Sequence, residues 1–305
     1  MLTLAEAKKE IKRRMLRRMP RQGSFNTPMD NVRIHRRDEV EKPRQCLYKP
    51  MIVYLLQGRK RMTIGGDEYV YGDDDLMVVG IDLPNTSNII AASPRLPCMA
   101  INIDLDLNLI GQLALEMRQA IVPGQDTYSP VMIQPIDAEI LDAMLRLDTV
   151  QDRPNEIGVL GRMLVKEIHF RLLLGPNGGT LLSLYSYGAQ KSHVAQAVNW
   201  LRDNFNKAFL VEDLAERVHM SPSTFHRHFR EITSLSPIQF QKRLRLHEAQ
   251  RLLISEDMAI PDVCENVGYD NLAQFTREYK RLFGEPPRRD VTRLKQANTT
   301  SLSLT

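Results

Sequence analysis

Two segments of this 305-residue chain, about fifty positions apart, repeat one pattern of aromatic and basic residues. The first is HMSPSTFHRHFREIT (219–233) and the second is GYDNLAQFTREYKRLFG (268–284). The residues that pair at an offset of fifty are Phe225 with Phe275, Arg227 with Arg277, Phe229 with Tyr279, Arg230 with Lys280, and Pro237 with Pro287. Because an aromatic face and a basic face repeat together, the chain is predicted to contain one small helical unit twice.

The first unit has the pattern of two short helices joined by a tight turn. VEDLAERV (211–218) is predicted to be a helix, with the small Ala215 where a second helix would cross, and HM follows as the turn. SPS then predicts a new helix, with Ser221 as its N-cap and Pro222 at its first position. This is the helix-turn-helix layout, expected over about 211–233.

The second helix of this unit has an aromatic face and a polar face. Phe225, Phe229 and Ile232 follow one another at i, i+4 and i+7, the spacing of a buried stripe. The residues predicted on the opposite, exposed face are Ser223, His226, Arg227 and Arg230. Hydrogen-bond donors on the outer face of such a helix favour contact with DNA.

The second unit, about 260–283, follows the same plan with one extra residue in or near its turn. IPDVCENV (260–267) is the predicted first helix, with Cys264 at the position of Ala215. Gly268 opens the turn and adopts a positive φ at less steric cost than His219, its counterpart. The second helix is predicted to bury Phe275, Tyr279 and Leu282, and to expose Ala273, Thr276, Arg277 and Lys280.

The connecting segment 236–255 is predicted to be one long helix, because it contains no Gly, and no Pro after Pro237. About 19 helical residues span roughly 28 Å. The turn of DNA repeats every ~34 Å, so one chain with both units could read two successive major-groove segments.

The residue types on the two exposed faces suit this task. Arg227 and Arg277 can each bind O6 and N7 of a guanine with two hydrogen bonds, and Ser223, His226 and Thr276 can add shorter contacts. The residues expected to neutralise phosphates, which adds affinity without sequence preference, are Arg230, Lys280, Arg288 and Arg289. The alternative is that all of these are only solvated side chains on two helical hairpins.

The N-terminal half is predicted to be rich in strands. Apolar, β-branched or aromatic runs separated by Gly and Asp turns occur at 51–58, 60–66, 67–72, 76–82, 87–93 and 98–105. Short strands at this spacing favour a small barrel or jelly roll.

From Leu107 the apolar period becomes helical, over 109–121, 137–150 and 155–175. Ile157, Leu160, Leu164 and Ile168 form an apolar stripe within the last of these segments. Packing on the barrel and a dimer seam are both compatible with this stripe.

Charge varies along the chain. Lys and Arg outnumber Asp and Glu by 13 to 6 in residues 1–45 and by 17 to 14 in residues 191–305. In residues 46–190 Asp and Glu are in the majority, by 17 to 11. With the breaks in periodicity, this gives a basic N-terminal segment (1–45), a β-rich domain with helices (46–185), a linker (186–193), a helical domain (194–293) and a disordered tail (295–305).

Composition indicates a cytoplasmic protein with no membrane partner. No apolar run reaches the ~18 residues of a membrane span, and the basic N-terminus lacks the pattern of a secretion signal. Cys46, Cys98 and Cys264 are scattered and form no CxxC pair, which argues against a disulfide framework and a zinc site. A thiol-sensing role for one of them is the less common alternative.

The C-terminal sequence LAERVHMSPSTFHRHFREITSLSPIQFQKRLRLHEAQRLL, followed by VGYDNLAQFTREYKRLFGEPPRRD, closely resembles the AraC/XylS family of bacterial transcription regulators, over about 193–293. The resemblance implies an all-α domain of seven helices, with two helix-turn-helix motifs joined by a long helix. By position it implies base contacts from Ser223, His226 and Arg227 in the first motif, and from Leu272, Ala273, Thr276 and Arg277 in the second. Leu272 and Ala273 are apolar, so the second motif is expected to use thymine methyl groups or backbone contacts.

The N-terminal half, with LYKPMIVYLLQGRKRMTIGGDEYVYG and VVGIDLPNTSNIIAASPRLPCMAINIDLD, also resembles AraC-type effector domains. That resemblance implies a cupin-like β-barrel followed by helices. The expected fold class is therefore α+β with two domains.

Some cupin-like barrels are metal enzymes, which need several histidines and a carboxylate around one ion. Only His35 and His169 precede residue 193, so we expect neither an enzyme nor a cofactor. The acidic run GDDDL (72–76) favours a hairpin turn over a cation site.

Together these features predict a one-component transcription regulator, more often an activator than a repressor in the family it resembles. The expected partners are double-stranded DNA, RNA polymerase, a small-molecule effector at the N-terminal domain, and a second copy of the chain. The alternative is a constitutive DNA-binding regulator whose barrel serves only in assembly.

Overall fold

Two antiparallel sheets make up most of the N-terminal half of the chain. The computed structural model describes residues 3–117, 129–184, 190–256 and 258–300. The strands in these residues are β1 (Gly23–Asn26), β2 (Val32–Arg37), β3 (Arg44–Tyr48), β4 (Met51–Gln57), β5 (Arg59–Ile64), β6 (Asp67–Tyr71), β7 (Asp75–Val79), β8 (Leu83–Ala91), β9 (Cys98–Asp104) and β10 (Val131–Pro135). One sheet has the order β1-β2-β9-β4-β7-β10, and the other has the order β3-β8-β5-β6.

The larger sheet is buried on both faces. Along β4, Val53 and Leu55 face the smaller sheet, where Met62 of β5 joins the same apolar cluster. Ile52 and Tyr54 face the other way, into a cluster shared with helices. This explains why β4 reads as a continuous apolar run rather than an alternating one. Two packed sheets with helices on one side confirm the expected cupin-like domain with accessory helices.

The helices of this domain pack on the outer face of the larger sheet. They are α1 (Leu4–Arg18), α2 (Leu107–Met117), α3 (Ala138–Val150), α4 (Pro154–Glu156), α5 (Arg162–Leu174) and α6 (Gly178–Ser183), with a π-helical turn at Ile157–Gly161 before α5. Helix α1 buries Ile11 and Met15, while Arg14 and Arg18 both bind the buried carboxylate of Asp148 on α3. The N-terminal basic helix is thus docked on the domain.

The structure also places residues 23–26 and 32–37, which belong to the expected basic N-terminal segment (1–45), in the larger sheet. Strand β2 pairs with β9 and alternates buried Val32 and Ile34 with basic residues. That alternation is the period-2 signal of a half-buried strand, partly hidden by the high charge of VRIHRR.

The apolar stripe that begins at Ile157 divides between two environments. Leu164 and Ile168 are buried in the cluster beneath the helices, so part of the stripe packs within its own domain. Leu160 is exposed, together with Val159 and Met163. This exposed part is open to a partner.

The C-terminal half is helical. Its helices in the described residues are α7 (Gln190–Asp203), α8 (Val211–Arg217), α9 (Pro222–Thr233), α10 (Pro237–Ser255), α11 (Ile260–Asn266), α12 (Leu272–Phe283) and α13 (Pro287–Thr300). Helix α10 contributes Phe240 to the apolar core of the first unit and Leu253 to that of the second. Two helix-turn-helix units joined by one long helix are therefore confirmed.

Both ends of this half differ in detail from the expected boundaries. Residues 186–189 of the expected linker lie outside the described residues, and 190–193 belong to α7. Residues 295–300 of the expected disordered tail continue α13, since no Gly or Pro interrupts KQANTT. Residues 301–305 lie outside the described residues.

The two halves contact each other through apolar and polar side chains. Ile81, at the turn between β7 and β8, is buried in the apolar core of the first unit. Next to it, Asp82 Oδ2 accepts a hydrogen bond from Arg202 Nη1 of α7 at 3.1 Å. Gln45 Oε1 of β3 accepts one from Arg243 Nη1 of α10 at 2.7 Å. Among the helices of the described residues, none has the length and apolar character to span a membrane.

Candidate nucleic-acid interface

The turn of the first unit is closed by its own backbone. The amide of Met220 donates to the carbonyl of Ala215 at 2.9 Å, and His219 takes a left-handed φ of 54°. Ser221 then caps α9, because its Oγ accepts a hydrogen bond from the amide of Thr224 at 3.4 Å. The cap and turn fix where α9 begins relative to α8.

The second unit repeats this turn. The amide of Tyr269 donates to the carbonyl of Cys264 at 3.0 Å, and Gly268 has a φ of 83°. A Cβ at Gly268 would lie 2.2 Å from the carbonyl oxygen of Asn206, so glycine is required by space as well as by conformation. Asn271 caps α12 through the amide of Gln274 at 2.9 Å. The extra residue of this copy is Asp270, between the turn and the cap.

The two second helices also end in the same way. Ser234 follows α9 with a φ of 59°, and its amide donates to the carbonyl of Arg230 at 2.8 Å. Gly284 follows α12 with a φ of 86°, and its amide donates to the carbonyl of Lys280 at 2.8 Å. The helices therefore match at their N-caps, faces and C-caps.

The aromatic face of each helix is buried as predicted. Phe225 and Phe229 of α9 are inaccessible to solvent, and so are Phe275 and Tyr279 of α12. Leu282 differs from expectation in being only half-buried, since it lies at the edge of a cleft between the two halves of the chain.

The residues assigned to base contacts lie mostly on open surface. Those that are exposed are Ser223, His226 and Arg227 on α9, and Leu272, Ala273 and Arg277 on α12; Thr276 is half-buried. Arg227 Nε is 4.0 Å from Glu231 Oε1, too far for a hydrogen bond. Arg277 has no ion-pair partner among the described residues, so both guanidinium groups are available to a ligand.

The residues assigned to phosphates share this availability. Arg230, Lys280, Arg288 and Arg289 are exposed, and none forms an ion pair with another described residue. Other basic side chains nearby are committed to the fold. Arg245 donates to the backbone carbonyls of Phe205 and Gly268, and Lys242 pairs with Glu278 at 2.7 Å. The domain thus contains two groups of basic side chains: those bonded to other parts of the fold, and exposed ones that have no ion-pair partner among the described residues.

Sequence reasoning missed a buried polar contact that holds α12 in place. Tyr279 Oη donates to Asp290 Oδ2 of α13 at 2.9 Å, and Gln250 of α10 donates to the same oxygen at 2.7 Å. Burial, together with the Asp290 carboxylate, raises the pKa of Tyr279, so its hydroxyl keeps the proton that it donates. At an offset of fifty, these two residues correspond to Phe229 and Phe240, whose rings pack 5.5 Å apart. The sequence signal for this contact is that both members of the pair differ between the two units: tyrosine and aspartate stand in the second where phenylalanines stand in the first.

A second polar contact ties α12 to α10. Glu278 accepts hydrogen bonds from Lys242 and from Tyr269 Oη, the latter at 2.8 Å. Burial alone would raise the pKa of Glu278, but these bonds and one from Gln274 outweigh it and hold the pKa below its usual range.

The N-terminal domain does not gather its possible metal ligands in the described residues. His169 Nδ1 donates to the carbonyl of Val165 at 2.8 Å, and its Nε2 accepts from the amide of Asp106 at 3.0 Å. His35 contacts Ser24 instead, and burial lowers its pKa to about 3. In the 72–76 turn, Asp73 accepts from the amide of Gly58. No group of three or more metal-ligating side chains occurs within the parts of the chain that the structure describes.

Two families match the chain. Residues 28–180 match the AraC-type transcriptional regulator N-terminus, and residues 214–293 match a helix-turn-helix domain.

Similar curated proteins match about a third to two fifths of the chain. The HTH-type transcriptional activator RhaS of Pectobacterium carotovorum is 27% identical over 103 residues, which cover 34% of this chain and 37% of RhaS. The uncharacterized HTH-type transcriptional regulator YobQ of Bacillus subtilis is 30% identical over 126 residues, 40% of this chain and 52% of YobQ. The chain therefore spans between about a third and about half of the length of these relatives.

Solved structures match over most of the chain. An apo variant of ToxT from Vibrio cholerae superimposes with a TM-score of 0.60 at 7% identity, covering 89% of this chain and 99% of ToxT. ToxT with a bound unsaturated fatty acid gives a TM-score of 0.57 at 9% identity, covering 90% and 97%. At these identities the likeness shows the two-domain fold alone.

Proposed function

The chain belongs to the AraC family of transcription regulators, and from this membership we propose that it binds specific DNA through two successive major-groove segments. The observation that carries the proposal is the duplicated unit. Helices α9 and α12 have equivalent turns, caps and buried faces, and each presents an exposed arginine at the same position. Two equivalent exposed helices fit two equivalent stretches of groove.

The long helix α10 supports the spacing of the two sites. Its 19 residues form one uninterrupted helix of roughly 28 Å. Its two ends are buried in the separate cores of the two units, so it acts as a stiff connection. A separation of this size is compatible with grooves ~34 Å apart on one face of DNA.

We assign base contacts to the outer faces of these helices. Arg227 and Arg277 would each bind a guanine, with Ser223 and His226 beside the first. On α12, Thr276 would add a polar contact, while the exposed Leu272 and Ala273 suit thymine methyl groups. Arg230, Lys280, Arg288 and Arg289 would neutralise phosphates.

We further propose that the protein activates transcription by contacting RNA polymerase, in response to a small molecule at its N-terminal domain. RhaS, an activator, supports the first part, and the fatty-acid complex of ToxT shows that a protein of this fold binds a small molecule. The exposed apolar residues Val159, Leu160 and Met163 support a homodimer through the N-terminal domain. The site of action would be the bacterial nucleoid.

The test is selection of bound DNA from a random pool, followed by affinity measurements with variants. Arg227→Ala and Arg277→Ala should each weaken the selected site by about 1–3 kcal/mol and relax the preference at one base pair. Arg288→Ala should weaken binding to every sequence and reduce the slope of affinity against salt concentration by about one unit.

Arg162→Ala, at an exposed arginine of the N-terminal domain, is the matched control and should leave the DNA affinity unchanged. An unaltered sequence preference in Arg227→Ala would show that this residue does not read a base.

A further inference from the structure

One buried carboxylate joins three helices of the second helix-turn-helix unit. Asp290, in the first turn of α13, is 1% exposed. Its Oδ2 accepts hydrogen bonds from Tyr279 of α12 at 2.9 Å and from Gln250 of α10 at 2.7 Å. Its Oδ1 binds the guanidinium group of Arg293, one turn further along α13. Because a buried carboxylate is costly without its partners, these contacts fix where α13 begins relative to α12 and α10.

The same turn of α13 carries two of the residues that we assign to phosphates. Arg288 and Arg289 directly precede Asp290, and both are exposed. Successive residues of a helix are about 100° apart around its axis, so the two arginines point away from the core when Asp290 points into it. The position of both guanidinium groups therefore depends on the contacts of Asp290.

Asp290 also compensates for the charge of this turn. Cations at the N-terminus of a helix oppose the helix dipole, and a carboxylate in the first turn interacts favourably with it. Arg288 and Arg289 place two cations at this end of α13, and Asp290 places a carboxylate beside them. The turn is therefore stabilised by the residue that ties it to α12 and α10.

The corresponding turn of the first unit is built differently. Arginine, arginine and aspartate at 288–290 stand where isoleucine, glutamine and phenylalanine stand at 238–240, in the first turn of α10. There Phe240 packs on Phe229, with ring centroids 5.5 Å apart, so an apolar contact holds an uncharged turn. The buried carboxylate of the second unit thus occurs together with the exposed cations.

We propose that Asp290 is a positioning residue for DNA binding. It holds the first turn of α13 against α12, so that Arg288 and Arg289 meet the phosphates beside the groove that α12 enters. Asp290 itself touches no DNA and reads no base. This inference rests on the proposed function, since it concerns how the same surface binds DNA.

The test compares the DNA affinity of the full-length wild type and Asp290→Asn, at a temperature where both are folded. Asp290→Asn should weaken binding to specific and non-specific DNA alike, by about fivefold. The slope of affinity against salt concentration should fall by up to about two units, one for each displaced arginine. A relaxed base preference with an unchanged salt slope would overturn the proposal, because Asp290 would then act on the base-reading helix instead.

The direction of the change separates positioning from the loss of a charge. Removing a negative charge near DNA raises affinity when charge alone matters. Asp262→Asn, at an exposed carboxylate of α11 in the same unit, is the matched control and should bind DNA at least as tightly as the wild type. An affinity in Asp290→Asn as high as in this control would overturn the proposal.

Tyr279→Phe provides a second variant with no change in charge. It removes one of the two hydrogen bonds to Asp290 Oδ2 and keeps the aromatic ring in the core. DNA affinity should fall about twofold, again for all sequences, because the turn of α13 is held less firmly. Loss of stability without any loss of affinity in the folded protein would show that the contact serves folding alone.

Amide hydrogen exchange without DNA separates this inference from the proposed function. Asp290→Asn should speed exchange in residues 287–293, while residues 211–233 of the first unit exchange as in the wild type. Unchanged exchange in 287–293 would overturn the inference, whatever the DNA result. Faster exchange there, with a wild type that binds no specific DNA, would count against the proposed function and leave Asp290 as the residue that holds α13.

Discussion

His219 and Gly268 occupy the same place in the two turns, yet only Gly268 has no room for a side chain. Gly268→Ala should lower the free energy of unfolding by about 2–4 kcal/mol, because it adds strain at a positive φ and a clash with Asn206. His219→Gly should change the free energy of unfolding by less than about 1 kcal/mol. Glycine removes the backbone strain at the positive φ, but it also raises the conformational entropy of the unfolded chain, and the two effects oppose each other. Urea denaturation measures both. Equal changes in unfolding free energy for the two variants would contradict the conclusion that only the turn at Gly268 has no room for a side chain.

His247 gives the protein a pH-dependent stability. Burial, and then the charge of Arg243, lower its pKa to about 3, whereas the unfolded chain protonates histidine near ~6.5. The unfolded state therefore binds more protons on acidification, and stability falls as the pH drops below the unfolded value. From pH 7 to 5.5 this group should cost about 1 kcal/mol.

The comparison is the free energy of unfolding of wild type and His247→Leu at both pH values. The variant should lose about 1 kcal/mol less than the wild type over this interval. An identical loss in both proteins would mean that His247 is not the group responsible.

Single residues show where sequence reasoning succeeds and where it stops. The exposure of Arg227 and Arg277 follows from helical periodicity, because each lies opposite a buried aromatic pair. The burial of Asp82 and its hydrogen bond from Arg202 do not, since they depend on how two distant parts of the chain meet. Local pattern fixes the face of a helix, but it does not fix what that face touches.

At the scale of elements, the strongly periodic segments were the predictable ones. Helices α8 to α12 follow from caps, turns and apolar spacing. Strands β1 and β2 were not predicted, because β1 (GSFN) contains a single large apolar residue and the many charges of β2 (VRIHRR) resemble a solvated segment. Pairing of β2 with β9 brings together residues 61 to 71 positions apart, which no local pattern specifies.

The contact between α12 and α13 yields a prediction at this scale. Tyr279→Phe removes the hydroxyl that donates to the buried Asp290, and should cost about 1–2 kcal/mol of unfolding free energy. Thermal denaturation of the full chain measures it. Tyr69→Phe is the matched control, since the Tyr69 hydroxyl has no hydrogen bond to any described residue. A midpoint as high in Tyr279→Phe as in this control would show that Asp290 is satisfied without the tyrosine.

For the whole molecule, the relation between the halves is the least predictable feature. Ile81 of the β-rich domain completes the core of the first helix-turn-helix unit, and Gln45 binds Arg243 on the long helix. From the sequence, Ile81 is expected in a strand (76–82) and Gln45 at the end of the basic segment (1–45), with no sign of a distant partner. Their contacts matter for function, since they join the β-rich domain to the helix that spaces the two DNA-binding units.

That spacing can be tested on the DNA itself. Because α10 is a single helix packed at both ends, α9 and α12 cannot follow a half-turn rotation of their sites. Inserting five base pairs between the two halves of the selected site, about half of a ~10.5-base-pair turn, should therefore reduce affinity to that of one half-site. Fluorescence anisotropy with the intact, inserted and single-half sites measures this. Equal affinity for the intact and inserted sites would show that the two helices do not bind one face of DNA together.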